Sequence, residues 1–354
     1  MIDATKNKID HHLSTFLEQA RKEYPFAQVH PILFKSIKDF CARPGKRIRP
    51  LLMALSYQGY SKQKNVPKNF YTACGSIELL HDFMLIHDDI IDCSGLRRGK
   101  PTIHKILAKT IPVKDKQKLG SDLGIVAGDI VYALALDAFL TIEEKSDRKE
   151  AALKYFIQTA GITALGEFID IIHGFKKIEH IRERDTFLNY SLKTARYTFQ
   201  CPMIMGALLA GAPKNDLKAL STIGLAIGQA FQIQDDIIGI FSTEKKIGKS
   251  ILSDLEESKK TILTCHAYRH LRGKERRAFL QIFKKSKKTY QDLIQIRQIF
   301  INSGSLVYSL KKINSLLQES HRALQSLHLK PETKIILWKI FSELFKQSEA
   351  IIKK

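Results

Sequence analysis

The chain has 354 residues, 44% apolar and 9% aromatic, enough for one large core or two ordinary domains. Its formal charge of +21 raises nucleic acid or an anionic membrane as partners, but much of the excess is scattered lysine, as at Lys114–Lys118 and Lys284–Lys288, which fits solvated helix faces. Five dispersed cysteines (Cys41, Cys74, Cys93, Cys201, Cys265), odd in number and without a CxxC, argue against a disulfide framework or a zinc site and for reduced thiols in the cytoplasm. No apolar signal core follows Met1 and no uninterrupted apolar run reaches about 18 residues, so neither a leader nor a spanning helix is expected.

No proline falls between Pro112 and Pro202, or between Pro213 and Pro331, which leaves room for long helices. Apolar residues at three- and four-residue spacing predict helices over Asn69–Asp92, Ser121–Ile142, Ala151–His173, Asp185–Leu209 and Asp216–Phe241, then Ser305–Leu327 and Glu332–Ile352. Alternating strand patterns bounded by Asn-Gly or Asp-Gly turns are absent. The expectation is all-α: one domain over 1–354, a bundle of ten or more helices around a central cavity.

The first chemistry-bearing run is Gly45-Lys46-Arg47-Ile48-Arg49-Pro50, three bases before a helix. The second is His87-Asp88-Asp89-Ile90-Ile91-Asp92. A helix turns about 100° per residue, so Asp88 and Asp92 lie roughly 40° apart on one face. Like charges a turn apart repel, and a divalent cation is the usual reason to tolerate them. A lone cluster of this kind is also an ordinary acidic helix end. A second pair, Asp235-Asp236, follows about 150 residues later within Gln234–Gly239, again at the end of an apolar helix. Two such pairs facing across a cavity could hold magnesium against a diphosphate. Arg97-Arg98-Gly99-Lys100, Lys193-Thr194, Lys249 and Lys259-Lys260 add cations suited to phosphate oxygens. Each basic run alone is more often a solvated loop; spread along a chain with two acidic pairs, they point to the joining of two phosphorylated substrates.

In this order GKRIRP (45–50), HDDIID (87–92), RRGKPTIH (97–104), AGD (127–129), KTA (193–195), AFQIQDDIIG (230–239) and GKSILSDLEESKKT (248–261) resemble the trans-isoprenyl diphosphate synthases, the polyprenyl synthetase family. The resemblance spans most of the chain. It implies an all-α isoprenoid synthase fold, a homodimer, and about three Mg²⁺ ions per site. It also implies a head-to-tail trans condensation of isopentenyl diphosphate with an allylic diphosphate, without a nucleic-acid partner and with at most weak association at a membrane surface.

Carried over residue by residue, Lys46, Arg49, His81 and Arg98 would hold isopentenyl diphosphate. Asp88, Asp92 and Asp235 would bind metal, with Asp89 and Asp236 completing the catalytic clusters. Arg97, Lys193, Lys249 and Lys259 would grip the allylic diphosphate, and Thr194 and Gln232 would lie near the developing carbocation. His81 precedes Asp88 by seven residues, which places it on the same helical face; a neutral core histidine is the plainer alternative. The sequence departs from the fuller pattern at Gly239, where many members carry a third aspartate, at Glu167 for a glutamine, and at Ser258 for a glycine. Phe83 and Met84 stand five and four places before Asp88, where the family sets product length. A bulky aromatic there favours geranylgeranyl diphosphate (C20), with farnesyl diphosphate (C15) next; plain core packing is the alternative for both. A terpene cyclase would not need Lys46, Arg49 and Arg98, and non-catalytic subunits tend to lose their acidic clusters.

Overall fold

A computed structural model describes residues 2–242 and 252–352. The chain is all-α, and it divides into two compact units, residues 1–154 with 205–211 and residues 155–204 with 212–354.

In the first unit the helices are α1 (Ile2–Glu23), α2 (Phe26–Val29), α3 (Pro31–Cys41), α4 (Ile48–Tyr60), α5 (Phe70–Ile91), α6 (Ile103–Leu107) and α7 (Lys116–Leu140). Its core is built from Ile9, Leu13 and Leu17 of α1, Ile37 and Phe40 of α3, Leu52 and Tyr57 of α4, Ile77 and Leu80 of α5, and Val131, Leu134 and Phe139 of α7. α5 lies against α7, and α7 can come close because Gly128 has no side chain. A Cβ there would stand 2.3 Å from His87 Nε2. The same ring nitrogen lies 3.1 Å from the Ile125 carbonyl oxygen.

The sequence reading finds no strands, but the basic run after α5 forms a small antiparallel ribbon, β1 (Leu96–Arg97) and β2 (Lys100–Pro101). Arg98 and Gly99 make its two-residue turn with φ of 54° and 74°, the left-handed pair of a type I′ turn. Buried Arg43 fixes the ribbon by donating to the carbonyls of Arg97 (3.2 Å) and Pro101 (2.8 Å).

The remaining helices are α8 (Ser146–Phe175), α9 (Glu183–Asn189), α10 (Cys201–Ala210), α11 (Lys214–Phe241), α12 (Ser253–Glu256), α13 (Ile262–His270), α14 (Gly273–Lys284), α15 (Tyr290–Asn302), α16 (Ser305–Ser326) and α17 (Pro331–Ile352), with the unit boundaries falling inside α8, inside α10 and just after α10. The segment expected as one helix over Asp185–Leu209 is α9, then a π-helical stretch over Tyr190–Gln200, then α10. π-helical turns are rare and favour functional sites. In the second unit, glycines on α8 and α11 accommodate the wider coil. A Cβ at Gly166 would lie 2.4 Å from Lys193 N, and one at Gly228 would lie 2.3 Å from Ala195 Cα. Arg297 donates to the carbonyls of Ile240 (2.6 Å) and Ser242 (2.8 Å), a cation at the C-terminus of α11.

Candidate functional site in two compact units

In the first unit the acidic residues end α5. Successive helical residues point about 100° apart, so Asp88 and Asp89 cannot face the same way. Asp88 is partly exposed and Asp92 exposed, whereas Asp89 is 1% exposed. Arg97 reaches back from β1 onto this pair, donating from Nε and Nη2 to Asp89 Oδ1 (2.8 and 2.6 Å) and from Nη2 to Asp88 Oδ2 (3.3 Å). Burial pushes the Asp89 carboxyl up, and the bond from Arg97 opposes that shift. Asp89 therefore anchors Arg97 rather than facing outward as a ligand.

The basic residues of this unit divide by burial. Arg47 is buried in a left-handed conformation (φ 50°) and paired with Asp10 at 2.7 Å and Glu78 at 2.9 Å, so of the three bases in its run it is the one committed to the core. Lys46 is exposed, and Arg49 sits in the first turn of α4. Arg98 donates to the Arg43 carbonyl (3.2 Å), and Lys100 pairs with Asp39 (2.7 Å). His81 is 8% exposed. Burial, and then the charges of Arg49, Arg98, Arg97 and Arg47, hold its pKa well below the ordinary histidine value. It is a buried, neutral imidazole among arginines. Phe83 packs edge-on to His87 (ring centroids 4.7 Å) and against Tyr132 of α7 (5.1 Å), and Met84 is half-buried beside it in the chain.

In the second unit the same split recurs. Asp235 is exposed and Asp236 is 6% exposed. Tyr190, at the start of the π stretch, donates its hydroxyl to Asp236 Oδ2 and accepts from Ile262 N at 3.0 Å. Gln232 donates to Asp236 Oδ1 (3.1 Å) and accepts from Thr194 Oγ1 (2.7 Å). Burial pushes the Asp236 carboxyl up to about 8, against the lowering effect of Tyr190 and Gln232. One hydrogen-bonded chain thus links the π stretch, α11 and the N-terminus of α13. Tyr190 is absent from the sequence reading because its partner lies 46 residues away. Tyr190→Phe is expected to lower the unfolding free energy by about 1–3 kcal/mol, because it strips partners from two buried polar groups. The urea midpoint measures this, and an unshifted midpoint would remove the hydroxyl from the account.

A cavity of about 70 Å³ beside this network is lined by Asp170, Lys193, Thr194, Gln232, Asp236 and Lys259, so four of the expected residues converge with Asp236. Lys193 Nζ lies 2.8 Å from Glu167 Oε2 and 2.7 Å from Asp170 Oδ2. Ser258, where glycine is common in the pattern, holds φ 51° and receives a bond from Lys288 Nζ at 2.8 Å, so a side chain here occupies backbone space that suits glycine. Lys249 lies outside the described residues.

The donor chemistry fits a hard divalent ion through the outward carboxylates of Asp88, Asp92 and Asp235, although the exposed thiol of Cys93 directly follows Asp92. Among the described residues no three His, Cys, Asp or Glu side chains converge into a protein-only metal cage. Magnesium is commonly held by one or two carboxylates plus substrate phosphate.

The polyprenyl synthetase family model matches residues 30–300. The geranylgeranyl diphosphate synthase of Sulfolobus acidocaldarius is 34% identical over 280 residues, covering 79% of each chain. That of Saccharolobus solfataricus is 32% identical over 283 residues, covering 78% of this chain and 80% of the relative. Among solved structures, the geranylgeranyl pyrophosphate synthase of Corynebacterium glutamicum, complexed with isoprenyl diphosphate and magnesium, superposes with a TM-score of 0.88 over 98% of this chain and 99% of its own, at 23% identity, a likeness of fold.

Proposed function

The chain belongs to the polyprenyl synthetase family and is a short-chain trans-prenyltransferase; from that premise we propose that it condenses isopentenyl diphosphate with allylic diphosphates, using Mg²⁺, and stops at geranylgeranyl diphosphate (C20). The observation that carries the reading is the repeated division of labour in the acidic pairs: Asp88 and Asp235 face outward, while Asp89 and Asp236 are buried and tethered by Arg97 and Tyr190. Outward carboxylates are available as ligands, and inward ones fix the helix ends that carry them.

Asp88, Asp92 and Asp235 would hold about three Mg²⁺ ions with the substrate phosphates, supplying positive charge to the departing diphosphate. Arg97, already aimed by Asp89, and Lys193 and Lys259 grip the allylic diphosphate and favour cleavage of its C–O bond. Lys249 completes that set in the carried-over pattern. Lys46, Arg49, Arg98 and neutral His81 hold isopentenyl diphosphate. Thr194 and Gln232, fixed by Asp236, turn polar oxygens toward the developing cation. The double bond of isopentenyl diphosphate attacks that cation, and a proton then leaves to the released diphosphate. No side chain is needed as nucleophile or base.

A homodimer belongs to this proposal. The most apolar window of α7 is 44% buried, and its exposed Ile125, Val126 and Leu140 form a face that a second copy could cover. By length and composition α7 could also cross a membrane, but Asp122, Asp129 and Asp137 interrupt its apolar run, and one side packs on α5.

The test is incubation of radiolabelled isopentenyl diphosphate with dimethylallyl, geranyl and farnesyl diphosphates, with products sized by chromatography. A C20 product is expected, and no elongation of any primer overturns the reading. Phe83→Ala should lengthen the product by at least one C5 unit, because it removes the ring packed between His87 and Tyr132. An unchanged C20 product would move the stop to Met84.

A further inference from the structure

Lys193 is engaged before any phosphate arrives. Its ammonium contacts Glu167 Oε2 (2.8 Å) and Asp170 Oδ2 (2.7 Å), and all three side chains are 24–30% exposed, so water screens the cluster incompletely. The contact is built into the packing: Gly166 lets α8 approach the π stretch at Lys193 N, which brings the next residue, Glu167, onto the lysine. Asp170 has other support. Asn189 donates to it at 2.7 Å, and although burial raises its pKa, Lys193, Lys259 and Asn189 bring it below the usual carboxylate value. One lysine facing two carboxylates has a local net charge of −1, and this cluster borders the cavity lined by Thr194 and Lys259. An anion approaching Lys193 therefore meets an ammonium already paired with two carboxylates, with Lys259 and Lys260 as the further cations lining the cavity.

We infer that Glu167 is an affinity-setting residue: its carboxylate competes with the allylic diphosphate for the Lys193 ammonium, weakening retention of primer and allylic product alike. This rests on the reading that Lys193 binds the allylic diphosphate. Asp170 holds Lys193 in register, whereas Glu167 adds the second charge. Removing that charge without changing shape strengthens anion binding, and retention of the elongated product tightens with it.

The test is calorimetry of Mg²⁺ with inorganic pyrophosphate on wild type and Glu167→Gln, followed by steady-state kinetics. Glu167→Gln should bind pyrophosphate about tenfold more tightly, with a matching fall in KM for farnesyl diphosphate and an unchanged KM for isopentenyl diphosphate. Glu167→Ala removes the same charge and should shift binding in the same direction, which separates charge from shape and covers failure of either variant to fold. Unchanged pyrophosphate affinity in both variants overturns the inference, whether or not the protein turns over. Tighter pyrophosphate binding without prenyl transfer in wild type overturns the functional reading and leaves the anion competition standing. A fall in both substrates' KM values overturns the assignment of Glu167 to the allylic side.

Discussion

Asp88→Ala is expected to lower kcat by about three orders of magnitude without lowering the melting temperature. In the proposed function Asp88 supplies an outward carboxylate for Mg²⁺. Charge stabilisation by a bound metal is worth several kcal/mol in the transition state, and each 1.36 kcal/mol is about tenfold in rate. The fold loses little with it. The contact from Arg97 to Asp88 is the longest of the three that the guanidinium makes here, at 3.3 Å, and the two bonds to Asp89 at 2.8 and 2.6 Å remain. The substitution also relieves like-charge repulsion between Asp88 and Asp92 at i and i+4, worth a few tenths of a kcal/mol. Steady-state kinetics at saturating Mg²⁺, paired with a thermal melt, checks both halves. Turnover near the wild-type value would detach the metal from this carboxylate.

Which parts of this architecture are legible from residues alone follows from the range of the forces involved. α5, α8 and α11 announce themselves because a buried stripe must recur at helical spacing, and the proline-free stretches allow it; each begins and ends within a few residues of its expected bounds. The π stretch is invisible to that method. It changes the turn by one residue within Asp185–Leu209, and the glycines that accommodate it, Gly166 and Gly228, lie on other helices. The ribbon at Leu96–Pro101 reads as a basic loop because Arg98-Gly99 is not one of the stronger type I′ signals, and Arg43 holds it from 54 and 58 residues away. The helical wheel implies that Asp89 and Asp236 turn away from Asp88 and Asp235, yet what each turns toward, Arg97 or Tyr190, depends on tertiary packing. α3, α4 and the helices between Ile262 and Asn302 are short, so few turns are available to carry a repeating pattern.

Arg47 shows the limit most sharply, since its neighbours in GKRIRP look equivalent and it has the largest expected effect on stability. Its guanidinium is 3% exposed and bonded to Glu78 Oε1 (2.9 Å), Asp10 Oδ1 (2.7 Å) and the carbonyls of Cys41 (3.1 Å) and Arg43 (3.2 Å). Glu78 is 2% exposed, and the buried Asp82 carboxyl nearby is pushed well above the usual range, by burial first and then by Glu78. Desolvating a pair can offset its own attraction, but removing one partner leaves a buried charge alone, which costs about 3–5 kcal/mol. Arg47→Met is therefore expected to lose that much unfolding free energy in urea, although it removes no apolar contact. Replacing both partners, as Arg47→Met with Glu78→Gln, should recover part of the loss, because no unpaired ion then remains at this position. If the single and double variants unfold at the same midpoint, the stranded carboxylate is not the source of the deficit, and the donors lost from the Cys41 and Arg43 carbonyls, which both variants share, are.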